Sequence, residues 1–384
     1  MPDRVYLDWN ATTPLRPEAR QAMAAAWEVA GNPSSVHAEG RQARRLVEDA
    51  RAAIAAAVAA RPQDVVFSSG GTEANVLALT PGLRRGAGDP VRRLLVSAIE
   101  HTSVLSGGRF PAEAIGTIKV TGSGLVDLGQ LRGLIADGPP ALVSVMLANN
   151  ETGAVQPVGE IADVVHEAGG LLHVDAIQAL GKIPFDIKSM QADLITLSAH
   201  KIGGPKGVGA LVMAEEVQGL EPLLRGGGQE LGRRAGTENV AGIAAFGAAV
   251  RAAMARLQGD ADRLQGLRNR LEAGLKQTPG MILFSADAPR LPNTTLFSVP
   301  GLRAETAVIG FDLGGIAVSS GSACSSGKVQ PSHVLAAMGV DKELAQGAVR
   351  ISLGWSTSEA DIDLALEAWR KLADGLLRGR RNTA

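Results

Sequence analysis

Short apolar runs alternate with helical segments along most of the chain. The candidate strands are residues 65–67, 93–97, 142–147, 171–174, 194–197 and 208–213. Between them, segments such as 39–60 and 158–168 have helical periodicity. Most strand candidates are continuously apolar rather than alternating, as expected for strands that are covered on both faces. The pattern therefore predicts a largely parallel α/β sheet.

A second pattern follows a long, charged helical stretch that we predict from about 241 to 277. Strands predicted at 282–284, 294–299 and 349–353 flank helices, and a last helix is predicted at 358–377. We therefore expect a large domain at 15–255 and a smaller α/β domain formed by 1–14 and 256–384.

Composition excludes several classes of function. The chain has 384 residues, 45% of them hydrophobic and 20% charged, with a formal net charge of -1. This balance is typical of a globular protein, and it lacks the net positive charge that favours binding to DNA. No run approaches the roughly 20 apolar residues that span a bilayer. The single cysteine rules out an internal disulfide and a site with several metal-bound thiolates, so we expect a cytoplasmic protein and no metal centre.

Polar residues collect where the predicted strands end, which is where open parallel sheets bind ligands. The run 65–67 leads into Ser69-Gly70-Gly71-Thr72 and then a helical segment. A small-residue turn before a helix offers free N–H groups to a phosphate. An ordinary turn with a helix cap explains the same segment equally well. The spacing matches neither the dinucleotide nor the Walker motif.

A carboxylate and a lysine follow two neighbouring strands. Asp175 ends the run 171–174, and Lys201 follows the run 194–197. Pyridoxal phosphate (PLP) needs this pair, because the lysine amine condenses with its aldehyde and the carboxylate keeps its pyridine nitrogen protonated. A surface salt bridge is the plain alternative. Lys206 competes for the lysine role, but it lies inside a glycine-rich turn, which favours Lys201.

Two further polar groups follow other strands of the same predicted sheet. His101 lies just beyond the run 93–97, where an imidazole could stack on a cofactor ring and shuttle protons. Asn150 follows the run 142–147, where its amide could bond a cofactor or a substrate. A structural histidine and a simple turn are the alternatives.

The predicted small domain contains a thiol and a cation in unusual surroundings. Cys324 lies in the small, polar run Ser319-Ser320-Gly321-Ser322-Ala323-Cys324, which is a poor environment for a core cysteine. Arg350 lies in the apolar run 349–353 and needs a partner there. Its guanidinium suits the carboxylate of an amino acid, although a structural ion pair is the alternative.

Together these segments resemble the cysteine desulfurases of the fold-type I, class-V aminotransferase group of PLP enzymes. The resemblance spans nearly the whole chain and is specific because the segments keep their order and spacing. They are Tyr6-Leu7-Asp8, Asn10-Ala11-Thr12-Thr13-Pro14, Gly31-Asn32-Pro33-Ser34-Ser35, Ser69-Gly70-Gly71-Thr72-Glu73, Glu100-His101, Asn149-Asn150-Glu151, His173-Val174-Asp175-Ala176, Ser198-Ala199-His200-Lys201, Gly236-Thr237 and Ser319 to Cys324.

The resemblance implies a large domain with a mostly parallel mixed sheet between helices, and a smaller C-terminal α/β domain that carries the cysteine loop. It also implies that Lys201 holds PLP, Asp175 pairs with the pyridine nitrogen and Gln178 with the ring hydroxyl. His101 stacks on the ring and helps to move protons. The remaining implied ligands are Gly71, Thr72, Ser198, His200 and Asn150 for the cofactor, Thr237 from the other subunit of a homodimer, and Arg350, Asn150 and Asn32 for the substrate.

The implied reaction converts L-cysteine to L-alanine and transfers the sulfur to Cys324 as a persulfide. The sulfur then passes to an acceptor such as an iron–sulfur scaffold protein, or to tRNA or thio-cofactor synthesis. Two departures from the family stand out. Gly203 replaces an aromatic or polar residue and is expected to loosen the turn near the cofactor. The chain also ends soon after its last predicted helix, which leaves the acceptor protein open.

Two alternatives to this function stay open at this point. A selenocysteine lyase or another β-eliminating PLP enzyme needs Lys201 but can dispense with Cys324. A non-catalytic scaffold of the same fold would bind no PLP.

Overall fold

The computed structural model describes residues 4–321 and 332–381. The strands in chain order are β1 (Val5–Tyr6), β2 (Val65–Ser68), β3 (Arg84–Arg85), β4 (Arg93–Ser97), β5 (Ile115–Ile118), β6 (Ala141–Met146), β7 (Leu171–Asp175), β8 (Leu194–Ser198), β9 (Gly209–Met213), β10 (Val217–Gln218), β11 (Ile282–Leu283), β12 (Thr294–Ser298), β13 (Ile316–Ala317), β14 (Ser319–Ser320) and β15 (Val349–Ser352). The helices are α1 (Pro17–Trp27), α2 (Ala38–Ala57), α3 (Gly71–Ala78), α4 (Thr102–Leu105), α5 (Leu128–Ala136), α6 (Val158–Glu167), α7 (Val240–Ala255), α8 (Leu257–Leu275), α9 (Ala304–Leu313), α10 (His333–Ala337), α11 (Lys342–Gln346) and α12 (Glu359–Arg381).

The larger sheet has the strand order β2-β9-β8-β7-β6-β4-β5 within the described residues. Strands β4, β5, β6, β7 and β8 are parallel to one another, while β9 runs antiparallel to both β8 and β2. Hydrophobic clusters cover both faces of this sheet, which explains why its strands are continuously apolar. The predicted α/β architecture with a mostly parallel mixed sheet is confirmed.

Strand β5 was not predicted from the sequence. Its residues Ile115–Ile118 include a glycine and a threonine, and they form the edge of the sheet beside β4. They are only partly buried, so the segment lacks the apolar run that marks the central strands.

The smaller sheet is antiparallel and has the order β11-β12-β15-β14. The N-terminal strand β1 pairs with β13, and Asp8 forms a bridge with Ser352 of β15. The first residues of the chain therefore lie against strands that come more than 300 residues later in the sequence. The predicted domain boundary near residue 255 stays a prediction.

The helical stretch predicted from about 241 to 277 consists of two helices. Helices α7 and α8 meet at Arg256 and are bent by 70° relative to each other. Helix α7 is buried along most of its length and packs on α1 and α2, whereas α8 buries one face and is charged on the other. In the described part of the chain, no single helix is both long and apolar enough to cross a membrane; α7 and α8 pass that test only as a bent pair.

The core beside the smaller sheet is built around Trp369 of α12. The indole is 1% exposed and makes an edge-to-face contact with Phe297, with ring centroids 5.1 Å apart. It also stacks on Phe311 at 6.3 Å. These contacts join α12, α9 and β12 around a single aromatic group.

Replacing Trp369 with Ala is expected to lower the free energy of unfolding by about 3–5 kcal/mol, because it removes the largest buried side chain of this core and leaves a cavity. Urea unfolding followed by circular dichroism measures the change. Leu364→Ala is the control, since Leu364 lies on the same helix but is 48% exposed; we expect it to cost about 0.5 kcal/mol or less. Equal losses for the two variants would show that the core is not organised around the indole.

Candidate active site

A cavity of about 230 Å³ lies where the carboxyl ends of β6, β7 and β8 meet the N-terminal segment and β15. It brings together most of the residues that the sequence singled out. The lining residues are Asn10, Ala11, Gly71, Thr72, His101, Ser103, Met146, Ala148, Asn150, Asp175, Ile177, Gln178, Ser198, His200, Lys201 and Arg350.

Asp175 ends β7 and is almost completely buried at the cavity. Its Oδ2 accepts a hydrogen bond from Asn75 Nδ2 at 2.9 Å, and its Oδ1 accepts one from the backbone N–H of Ile177 at 3.0 Å. Burial raises the pKa of the Asp175 carboxyl, while these donors and the charges of His101 and Lys201 act in the opposite direction. A cation placed against this carboxylate would therefore be strongly favoured.

A buried chain of hydrogen bonds holds Asn75 in place behind Asp175. Thr196 Oγ1 donates to Asn75 Oδ1 at 2.6 Å, and His173 Nε2 lies 3.2 Å from Thr196 Oγ1. The other ring nitrogen of His173 lies 2.8 Å from Ser144 Oγ. Burial lowers the pKa of His173 to about 3, so its imidazole is neutral. Asn75 and Thr196 were missed from the sequence, where each is only a polar residue within an apolar segment.

His101 forms the N-cap of α4. Its Nδ1 accepts a hydrogen bond from the backbone N–H of Ser103 at 3.1 Å and lies 2.8 Å from Ser103 Oγ. Because Nδ1 is an acceptor, the proton of the neutral ring is on Nε2. Burial lowers the pKa of His101, against the raising effect of Asp175. The imidazole is linked through Ser103 and Asn75 to Asp175.

Lys201 ends the short helical turn Ala199–Lys201 that follows β8. Its Nζ lies 2.6 Å from the backbone oxygen of Asn10 and 2.8 Å from that of Ala11, and it donates hydrogen bonds to both. Lys206, the competing candidate, is exposed and is not among the residues that line the cavity. The geometry therefore favours Lys201 as the reacting amine.

The predicted phosphate cradle lies at the start of α3. Gly71 and Thr72 occupy its first turn, where backbone N–H groups have no partner inside the helix. A Cβ at Gly71 would lie 2.3 Å from Ile177 Cδ1, so a larger residue there would displace the end of the Ile177 side chain that lines the cavity. Ser198 and His200 border the same cavity. Burial lowers the pKa of His200 to about 4, so its imidazole is neutral.

Arg350 is 1% exposed at the middle of β15. Its Nη2 donates to Asp8 Oδ1 at 2.7 Å and its Nη1 donates to the backbone oxygen of Asn150 at 2.9 Å. Its Nε has no hydrogen-bond partner within the described residues. Arg350 therefore forms a structural ion pair with Asp8 and also has a donor, Nε, that could bind a carboxylate.

Asn32 and Thr237 do not reach this cavity within one chain. Asn32 is exposed and caps its own loop by accepting a hydrogen bond from Ser34 N at 2.9 Å. Thr237 is also exposed and lines a separate depression with Ser69 and Arg234. The roles predicted for both residues stay predictions.

Gly203 does not loosen its turn as expected. Its φ is +88°, and an added Cβ would lie 2.4 Å from Arg16 Cγ and 2.5 Å from the Trp355 ring. The Arg16 guanidinium lies 3.9 Å above the centre of that ring. Glycine instead allows the arginine and the tryptophan to pack directly on the backbone.

Cys324 lies outside the described residues. The chain enters that gap from β14, where Ser319 is paired with Arg350 of β15 and Gly321 N donates to Ala348 O. It leaves the gap at Ser332, whose hydroxyl donates to the buried carboxylate of Glu151. Both ends of the segment are therefore held beside strands or turns that border the cavity.

Comparison with known proteins decides the family. The model of the class-V aminotransferases matches residues 5–365. The chain belongs to the class-V aminotransferase family. A cysteine desulfurase from Cereibacter sphaeroides is 44% identical over 97% of this chain and 97% of its own length. The resemblance inferred from the motifs is thereby confirmed, and members of this family are PLP enzymes.

Solved structures agree with this family. A NifS-like protein from Rickettsia africae superposes with a TM-score of 0.87 at 36% identity, covering 97% of this chain and 99% of its own. SspA, which was solved in complex with cysteine, superposes with a TM-score of 0.75 at 30% identity, covering 91% of this chain and 98% of its own.

Glu100, next to His101, is a second buried acid near the site. Its Oε1 accepts hydrogen bonds from Ser97 Oγ and Met146 N, while its Oε2 has no partner within the described residues. Burial raises the pKa of Glu100 to about 8, and the charge of Asp175 adds to this effect. The folded protein thus holds a proton here that the unfolded chain gives up near pH 4.5.

Because the pKa of Glu100 is raised on folding, its contribution to stability is present below about pH 4.5 and is lost as the pH rises through about 8. Glu100→Gln is therefore expected to raise the free energy of unfolding by about 4 kcal/mol more at pH 9 than at pH 5. Urea unfolding at the two pH values measures this difference. Glu113→Gln, at an exposed position, is the control. A Glu100→Gln effect that is the same at both pH values would contradict the assignment.

Proposed function

We propose that this chain is a PLP-dependent cysteine desulfurase, which converts L-cysteine to L-alanine and carries the sulfur as a persulfide on Cys324. The observation that carries the proposal is that Asp175 and Lys201 line the same cavity. The relative that is 44% identical over almost the whole chain is a cysteine desulfurase, and SspA was solved with cysteine bound.

The residues of the cavity fit PLP. Burial disfavours the charge on the Asp175 carboxylate, and a cation next to it would offset that cost. The protonated pyridine nitrogen of PLP is such a cation. The start of α3 suits the phosphate, and the absence of a side chain at Gly71 leaves room for close approach. The residues that would hold the cofactor are Lys201, Asp175, Gln178, Asn150, His101, Gly71, Thr72, Ser198 and His200. When bound, PLP supplies an aldehyde for the substrate's amino group and a ring that withdraws electrons from its α-carbon.

The substrate's carboxylate is assigned to Arg350, with the Asn150 side chain beside it. The guanidinium is already fixed by Asp8 and by the Asn150 carbonyl, so it loses little conformational freedom when it binds. Its unpartnered Nε is a buried donor that an anion would satisfy. Asn32 is a weaker candidate from the same chain or its partner, because it is exposed in the structure.

Proton transfer is assigned to two groups. Lys201 Nζ takes the proton from the substrate's α-carbon and later returns a proton within the cavity. His101 lines the cavity and its Nδ1 side is held by Ser103, so we assign it to relaying protons through Nε2. The Ser103–Asn75–Asp175 hydrogen bonds keep its ring in one orientation.

Sulfur transfer is assigned to Cys324. Its thiolate attacks the sulfur of the bound cysteine, and a new sulfur–sulfur bond forms. The bond between Cβ and sulfur breaks, its electron pair stays on the carbon side, and a proton completes the methyl group of alanine. The persulfide then passes its outer sulfur to an acceptor, such as an iron–sulfur scaffold protein or a component of tRNA or thio-cofactor synthesis.

We propose in addition that the chain works as a cytoplasmic homodimer in which Thr237 completes the phosphate site of the partner. Thr237 is exposed, and it belongs to a segment, residues 230–237, that is fixed to helix α2 through Glu230. Glu230 in that segment is buried and forms a two-pronged ion pair with Arg51, with contacts of 2.7 and 2.8 Å. Leu231 beside it is 70% exposed, which suits a contact with a second chain.

Replacing Cys324 with Ser is expected to abolish persulfide formation and to lower alanine release from L-cysteine by about 100-fold or more. The visible absorption band of bound PLP, at about 400–430 nm, should be unchanged because Cys324 is not among the cofactor ligands. Mass spectrometry of the wild-type protein after exposure to L-cysteine should find one added sulfur on the Cys324 peptide. Ser326→Ala, two residues further along the sequence, is the control and should keep both persulfide formation and alanine release.

Unchanged release of alanine and sulfide by the Cys324→Ser variant would contradict the persulfide route and favour a β-eliminating lyase. A faster reaction with selenocysteine that does not need Cys324 would favour a selenocysteine lyase. A wild-type protein without the visible band would favour a non-catalytic scaffold.

A further inference from the structure

Lys182 is a buried lysine to which neither the reaction nor the family resemblance assigned a role. It lies seven residues after Asp175, in the turn that follows β7, and it is 8% exposed. Its Nζ donates to Gln178 Oε1 at 2.7 Å and to Asn10 Oδ1 at 2.9 Å. It is not among the residues that line the main cavity; it lies behind the cavity wall, beside Lys201 and Ile202.

Keeping a lysine at this position is costly. None of the ion pairs within 4.0 Å in the described part of the chain includes Lys182, so its partners are two neutral amide oxygens. Burial lowers the pKa of Lys182 well below its ordinary value, and the neighbouring charges of Lys201 and Arg350 lower it further. A buried lysine of this kind lowers the stability of the fold. Its role therefore lies in positioning the two groups that accept its hydrogen bonds, Asn10 and Gln178.

Lys182 and the backbone carbonyl of Asn10 together determine which way the amide of Gln178 faces. An ammonium group can only donate, and the neutral amine has two N–H groups for its two acceptors, so Lys182 favours the Gln178 oxygen on its side. Gln178 Nε2 meanwhile donates to the backbone oxygen of Asn10 at 2.9 Å. Rotating the Gln178 amide by 180° would place its NH2 group against the Lys182 amine and its oxygen against the backbone oxygen of Asn10.

One N–H of Gln178 is therefore left to face the cavity, and Gln178 lines that cavity. A group that can only donate there selects an acceptor atom on the ligand. The ring oxygen of PLP is such an acceptor, and it accepts best when it has lost its proton.

We propose that Lys182 is a positioning residue that locks the Gln178 amide with its N–H toward the cavity, so that Gln178 donates to the ring oxygen of bound PLP. This inference rests on the proposed function. Lys182 itself does not touch the cofactor. Its effect passes through a single hydrogen bond to the residue that does.

The test uses the full-length protein loaded with PLP and follows the visible absorption of the cofactor as a function of pH. Removing a donor from the ring oxygen makes that oxygen hold its proton more tightly, so the midpoint of the titration should rise. Lys182→Met should raise it by about one pH unit and weaken PLP binding about tenfold, as expected for the loss of a hydrogen bond to a charged acceptor. Lys188→Met makes the same substitution at an exposed position and should leave both quantities unchanged.

A double-mutant cycle shows whether Lys182 acts through Gln178. Gln178→Leu should raise the midpoint in the same direction, and adding Lys182→Met to it should cause little further change. Lys182→Leu is a second variant that must behave like Lys182→Met, and circular dichroism confirms that the variants fold.

Two results would overturn the inference while leaving the proposed function intact. One is an unchanged midpoint in both Lys182 variants, and the other is a full additional shift from Lys182→Met in the Gln178→Leu background. A wild-type protein that takes up no PLP would overturn the proposed function itself.

Discussion

The carboxylate of Asp175 is buried at the end of β7, and the groups around it counter the cost of burying a charge there. Burial alone pushes its pKa upward. The Asn75 amide, the Ile177 N–H and the nearby charges of His101 and Lys201 act against that effect. These groups come from α3, from the turn after β7 and from the ends of β4 and β8, so the parallel sheet is what brings them to one place.

The N-terminal segment connects this site to the smaller sheet. Asp8 pairs with Arg350, and Asn10 N donates to Ser352 Oγ of the same strand, β15. The backbone oxygen of Asn10 accepts hydrogen bonds from both Lys201 and Gln178, while its side chain accepts one from Lys182. A few residues near the start of the chain thus hold Lys201, Gln178 and Arg350 in a fixed relation.

The sequence was informative where chemistry follows a local pattern. Continuous apolar runs marked the buried strands, and Asp175 and Lys201 stood out because each is a charged residue directly after such a run. It was not informative where the deciding contact joins distant residues. The pairing of β1 with β13 and the contact of Lys182 with Asn10 depend on tertiary packing, and no local sequence pattern indicates them.

The break between α7 and α8 was missed because helical propensity continues across Arg256. Gly203 was misjudged because its neighbours, Arg16 and Trp355, come from opposite ends of the chain.

The central claim is that the amine of Lys201, opposite Asp175, is the one that holds the cofactor. Reduction of the PLP-loaded protein with borohydride fixes the cofactor to its lysine, and peptide mass spectrometry then identifies that residue. We predict that the added pyridoxyl mass is found on the peptide that contains Lys201, and that an Asp175→Asn variant binds PLP far more weakly. Labelling of Lys206 or Lys182 in the wild-type protein, with Lys201 unmodified, would contradict the claim.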